Sequence, residues 1–132
     1  MTTFLLDANV LIALTVAEHE HHETASRWAH GVANLAICPV VEGALVRFLV
    51  RIGAGATTAQ QVLTQVYARE PCDFWPGTVS YRDIDLSRVL GHRQVTEAYL
   101  VGLVASRSDA RLATLDRPLA AAAPDHTHLV GS

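Results

Sequence analysis

Four carboxylates occupy comparable places in widely separated stretches of this 132-residue chain: Asp7 in "LLDANVLIAL", Glu42 in "CPVVEGALVR", Glu97 in "GHRQVTEAYL" and Asp116 in "LATLDR". Three of them follow short apolar runs that read as strands. The fourth, Glu97, lies in the first turn of an apolar helix beside Val95, Ala98, Leu100 and Val101. An ion against that much apolar surface is costly unless something compensates it. Taken singly, each acid has an ordinary role. Asp7 and Asp116 suit helix N-caps, the second with the helix-opening "RP" behind it, and Glu42 and Glu97 complement the positive ends of their helices. Gathered at one place, four carboxylates repel one another, and a protein relieves that by protonating some or by binding a cation. Hard oxygen donors in a partly hydrated cluster suit Mg²⁺ or Mn²⁺ rather than zinc. Such an ion acidifies water and stabilises charge on a phosphate, and a second one assists a leaving 3′ oxygen, so no protein nucleophile is required. Asn9 and Thr114 stand two residues from Asp7 and Asp116, where side-chain hydrogen bonds would orient those carboxylates; the plainer use of both is turn and strand-end bonding.

The elements that must position these acids are short and alternate. Residues 2–6, "TTFLL", read as a buried strand, and 8–16 as a short helix capped by Asp7. A helix over 24–33 carries Ala25, Trp28, Ala29 and Val32 on one face. "LAICPVV" (35–41) reads as a second strand with Pro39 near its end, closed by Glu42, and a helix from there to Gly53 turns Leu45, Phe48, Leu49 and Ile52 inward. A further helix spans 57–70, its threonines serving as the start signal. A third strand is expected around Thr78 to Tyr81, a long apolar helix over 96–108, a strand over 110–115, a brief helix after Asp116, and a last strand over 127–130. Strands alternating with helices imply an α/β domain with a mainly parallel sheet of four to five strands and helices on both faces. In such sheets ligands bind at the carboxyl ends of the strands. No repeat or linker divides residues 1–132, so a single domain is expected.

Half of the residues are apolar, enough for one core that buries roughly two-thirds of the unfolded surface. Cys38 and Cys72 match neither a zinc knuckle nor a redox pair and read as reduced thiols. The first apolar run has no basic residues before it and is cut by Asp7, which argues against a secretory signal, and no segment is long enough to span a bilayer. A cytoplasmic protein is expected. Thirteen acids outnumber ten basic residues, all of them arginine. Setting the four site acids aside leaves nine acids against ten arginines, so the rest of the surface is near neutral and no barrier to an anionic partner.

The four acid-bearing segments, in this order and spacing, make the chain similar to PIN-domain nucleases of the small VapC type, the toxins of type II toxin–antitoxin pairs, over nearly its whole length. The resemblance implies a parallel sheet between helices and a metal-dependent endoribonuclease that cuts RNA phosphodiesters to a 5′-phosphate and a 3′-hydroxyl. It further implies Asp7, Glu42, Glu97 and Asp116 as catalytic metal ligands, a small antitoxin as partner, and a homodimer, for which "AYLVGLVA" is a compatible contact although core burial is its simpler use. Where the family's "VT-acid-AY" segment usually carries aspartate, this chain has Glu97. The extra methylene moves the carboxylate outward by roughly 1.5 Å. Arg82, Arg88 and Arg93, which flank the approach to Glu97, and Arg117, which follows Asp116, are the candidate phosphate contacts; scattered arginines are otherwise simply solvated.

Two other features and two other readings compete for function. "HEHHE" (19–23) departs from the zinc-protease pattern, because Glu23 stands where the second histidine belongs, and reads as a loop entering the Trp28 helix. Trp75 either stacks on a base or anchors its loop on the core. A dehalogenase-like phosphotransferase also places an aspartate after its first strand, but wants a second two positions on, where this chain has Asn9. A catalytically impaired PIN-fold module that binds RNA or a partner, with Glu97 as the damaged position, is the remaining alternative.

Overall fold

In a computed structural model, which describes residues 1–69 and 71–131, the alternating apolar runs become strands β1 (Thr3–Leu6), β2 (Leu35–Ile37), β3 (Cys72–Phe74), β4 (Ala110–Thr114) and β5 (Thr127–Leu129). Between them lie helices α1 (Ala8–Thr15), α2 (His22–His30), α3 (Pro39–Arg51), α4 (Ala56–Arg69), α5 (Val95–Ala105) and α6 (Arg117–Ala122). All strands pair in parallel, in the order β3-β2-β1-β4-β5. Right-handed crossovers place α1 to α4 on one face and α5 and α6 on the other, because the chain winds outward from β1 in one direction and then returns to build β4 and β5 in the opposite one. The order reverses between β1 and β4, and the carboxyl ends of those two strands therefore flank the crevice where doubly wound sheets bind ligands. This is the expected α/β arrangement.

The core lies where the central strands meet the helices. Leu5, Leu6, Leu35, Ile37 and Leu112 from the sheet pack with Val10, Leu11, Val41 and Leu45 on one side and Leu100, Leu103 and Val104 on the other, all essentially fully buried. "AYLVGLVA" is thus spent mostly on this core. The helix α3 ends where Gly53 takes φ 104°, letting Ala54 N–H reach the Leu49 carbonyl at 2.9 Å, a left-handed turn that glycine adopts without a Cβ clash.

Several boundaries differ from expectation. The second strand stops at Ile37, and Pro39 opens α3 rather than closing a strand, since its missing N–H is one the first helical turn leaves unpaired anyway. Glu42 therefore sits one turn inside a helix. The third strand is Cys72–Phe74, paired with β2 from Leu35 to Ile37; residues 78–81 belong to a long connection with short 3-10 turns at Tyr81–Asp83 and His92–Gln94. The helix expected to start at Thr57 starts at Ala56, and its expected end at Glu70 lies outside the described residues. The helix α2 begins at His22, whose Nδ1 lies 2.8 Å from the Ala13 carbonyl, so the histidine-rich stretch is partly helical rather than wholly a loop.

The long connection packs closely onto α5 at Gly102. A Cβ at Gly102 would lie 2.9 Å from Ile84 Cβ and closer still to its Cγ2. Gly102→Ala is expected to destabilise the protein by about 1–3 kcal/mol through overpacking, read as a lower urea midpoint at unchanged slope.

Candidate active site

Asp7 leaves β1 and immediately starts α1. Its backbone N–H donates to the Ala113 carbonyl at 2.9 Å, extending the β1–β4 ladder, while its Oδ1 accepts from Ala8 N–H at 2.7 Å as the helix cap. The residue is only 7% exposed. Its other oxygen, Oδ2, accepts from the Thr114 hydroxyl at 2.7 Å. That hydroxyl, fully buried at the end of β4, also accepts from Asp116 N–H at 3.0 Å and from Asn9 Nδ2 at 3.4 Å, which uses its one donor and both acceptor positions. Asn9 Oδ1 in turn accepts from Leu115 N–H at 3.1 Å. Asn9 and Thr114 thus tie the end of β1 to the end of β4, with Asp7 and Asp116 on either side of the tie.

Asp116 caps α6 through Leu119 N–H at 3.0 Å and shares a side-chain hydrogen bond with Glu97 on α5. The Glu97 carboxyl is pushed up to about 7, first by burial, then by the charge of Asp116, the hydrogen bond to Asp116 and the charge of Asp7. Burial also raises Asp7, against the hydrogen bonds from Thr114 and Ala8 that favour its charged form, and the Asp116 charge raises it further. Three acids from three elements therefore meet in the crevice between β1 and β4.

This geometry has a pH signature in the metal-free chain. A carboxyl raised in the folded state costs nothing below its unfolded value of about 4.5 and its full cost above the folded value near 7. Stability falls as pH rises through that window, by on the order of 1–2 kcal/mol after allowance for solvent screening, or about 5 °C in Tm. His128, lowered by burial and by Arg111, works the other way below its ordinary value. The contribution of Glu97 is therefore read as the difference between wild type and Glu97→Gln, which flattens the fall between pH 4.5 and 7 in a melting series.

Glu42 is held by a contact of its own. Its Oε2 accepts from the Tyr67 hydroxyl of α4 at 2.7 Å, and its electrostatic neighbours are Tyr67 and Cys38. Of the candidate arginines, Arg88 is tied by Nη1 to the Ala122 carbonyl and Arg82 lies 3.7 Å from Asp83 on an exposed stretch, while Arg93 and Arg117 are exposed. Trp75 is 6% exposed and carries the Arg107 guanidinium 3.9 Å over its ring, so it anchors its loop and offers no free face to a base.

The model of the PIN domain matches residues 4–124, a span that contains all four acids. The chain belongs to the PIN-domain family. It is 50% identical over 119 residues to Ribonuclease VapC29 of Mycobacterium tuberculosis, covering 89% of each chain, and 35% identical over 119 residues to Ribonuclease VapC38 of the same organism, covering 85% of this chain and 84% of that one. Among solved structures, Mycobacterium tuberculosis VapC20, described as a sarcin-ricin loop cleaving toxin, matches with a TM-score of 0.69 at 17% identity, over 90% of this chain and 94% of its own. That last likeness is one of fold. The first two place the chain among VapC-type PIN ribonucleases.

In this PIN domain the donor set suits a hard divalent cation: carboxylate oxygens only, mutually repelling. Among the described residues no three possible ligands already stand at ion-holding spacing, so an ion would have to draw these carboxylates closer together. Sequence reasoning missed Tyr67. Twenty-five residues separate it from Glu42, and only the packing of α3 on α4 brings them together.

Proposed function

We propose that this VapC-type PIN domain is a divalent-metal-dependent endoribonuclease, using Mg²⁺ or Mn²⁺, and the toxin of a type II pair silenced by a small antitoxin. The convergence of Asp7, Glu97 and Asp116 in the crevice between β1 and β4 carries the reading. These three would hold the ion; Tyr67 takes only one oxygen of Glu42, which leaves the other for the same role. Once held, the cation would supply the acidity that turns water into a nucleophile and the charge that a phosphate accumulates. The chain's own part is placement. Thr114 fixes the carboxylate plane of Asp7, Asn9 fixes the strand end that carries Asp116, and Arg93 and Arg117 offer charge to RNA phosphates without reading sequence.

The antitoxin, the RNA substrate and a cytoplasmic place rest on the kinship with VapC ribonucleases, and the homodimer on the family resemblance; sedimentation of the purified chain tests the last. No helix among the described residues is long and apolar enough to cross a membrane. The decisive experiment incubates the purified chain with structured RNAs in Mg²⁺ or chelator. Cleavage is expected only with the ion, restored by Mn²⁺, and leaving 5′-phosphate ends; cleavage that persists in chelator overturns the mechanism. Glu97, longer by a methylene than the aspartate the family usually carries there, favours a second reading, an ion-binding PIN module that does not cut. Calorimetric Mg²⁺ binding without RNA cleavage would select it.

A further inference from the structure

Beside the acid crevice lies a second concavity. The parallel register Phe4↔Leu35 and Leu5↔Ala36, continued by two residues, brings Cys38 level with Asp7 on the adjacent strand end, about 5 Å away at ordinary strand spacing. Cys38, Pro39, Val40, Gly77, Tyr81 and Tyr99 line a cleft there of about 390 Å³, within the size range of small-ligand sites. Tyr99 stands two residues beyond Glu97 on α5, so one wall of the cleft and one acid of the crevice share a helical turn. The cleft therefore adjoins the candidate active site on the β2 side of Asp7, although none of the three acids lines it.

Its chemistry is that of a flat, mostly apolar guest. Tyr99 is buried and its ring lies 4.6 Å from that of Tyr81, tilted by 31°. Tyr81 remains 42% exposed, and Tyr99 packs against only part of it. Gly77 matters to the shape: a Cβ there would lie 2.9 Å from the Tyr99 hydroxyl, so the bare backbone is what lets the ring sit this deep. No charged side chain lines the cleft, which disfavours a phosphate or an ionic guest, whereas the exposed Tyr81 ring at its mouth suits a nucleobase, every one of which has a π-face.

We propose that this cleft receives one unpaired nucleobase of the RNA, turned out of the strand beside the scissile phosphate and stacked on Tyr81. The proposal rests on the nuclease reading above and adds to it a base subsite on the β2 side of the acids. It also gives a physical role to the connection 75–94, which carries Tyr81 over the strand ends and is held on α5 by Ile84 against Gly102. An RNA whose bases are all paired in helix has none to offer, so loops and single-stranded segments are the expected targets.

The test uses the full chain and single-stranded RNA oligonucleotides carrying 2-aminopurine at successive positions, with RNA binding followed by anisotropy in parallel. Stacking is expected to quench the probe at one position in wild type. Tyr81→Phe keeps the quench, and Tyr81→Ala loses it and weakens binding roughly 10-fold. An RNA abasic at that position should lose the same factor with wild type and nothing further with Tyr81→Ala. Because Tyr81 is exposed, circular dichroism is expected to show an unchanged fold. RNA that binds or is cut with no quenched position, or a quench indifferent to Tyr81, overturns the subsite and leaves the nuclease intact; RNA that neither binds nor is cut overturns both.

Discussion

Asp7→Asn is expected to remove RNA cleavage, by roughly 10³-fold or more, as losing a principal charged group of an electrostatic site does, while Tm moves by only a few degrees. The two effects separate because the carboxylate is not there for stability. Asp7 is nearly buried and held above its ordinary range by that burial and by Asp116, so neutralising it removes a cost of folding. Asparagine is also a good N-cap, and its oxygen still accepts from Ala8 N–H. The opposing loss is comparable, because the Thr114 hydroxyl loses the Oδ2 acceptor of its own proton. The amide nitrogen would face the Thr114 hydroxyl, which already accepts from Asp116 and Asn9, and the long 3.4 Å bond from Asn9 is the one displaced. Cleavage assays beside thermal melts check the pair of outcomes. An active Asp7→Asn protein would overturn the assignment, and an unfolded one would overturn the account of what Asp7 does for the fold.

Thr114→Val has the reverse profile, large in both readouts. Valine fills the same space, so no cavity arises, but the buried hydroxyl leaves three partners at once: Oδ2 of Asp7, the N–H of Asp116 and Nδ2 of Asn9. Buried polar groups stripped of partners cost about 1–3 kcal/mol each. Because Asn9 is half-exposed and its bond is long, a net loss of about 3 kcal/mol is expected, or about 10 °C in Tm. Cleavage should fall roughly 10–100-fold, the range for groups that orient metal-binding carboxylates. Thr114→Ser separates the two effects. It restores the hydroxyl and the activity but lacks the methyl, and should stay about 1 kcal/mol less stable than wild type. Activity lost equally in the serine variant would show that Thr114 serves packing and not the orientation of Asp7.

Much of this site was legible because its signals are local. Asp7 and Asp116 each precede a helix that the next few residues announce, and both are N-caps in the structure with bonds to Ala8 and Leu119. Glu97 beside apolar neighbours in "VTEAYL" marked a carboxyl under strain from burial, and its raised value follows. Glu42 was harder to place. "LAICPVV" has the apolar continuity of a strand, and nothing in that run shows that Pro39 opens a helix three residues before Glu42. The strand at Cys72–Phe74 escaped for a related reason: it is a three-residue edge strand with Asp73 and Phe74 exposed, too short for an alternating pattern to register.

What the chain determined by itself is its alternation of strand and helix, the acids at the ends of its elements, and the kinship those segments express, since capping and periodicity operate over three or four residues and are written in order. Which strands lie side by side was decided only in three dimensions. The Thr114 hydroxyl reaches Asp7 across 107 residues because β4 returns to pair with β1, Tyr67 claims Glu42 because α4 folds back on α3, and Tyr81 meets Tyr99 because a long connection crosses the strand ends. Such contacts depend on pairing and packing between distant segments, which no local spacing encodes, and they are what turn a set of acids into a site with a shape.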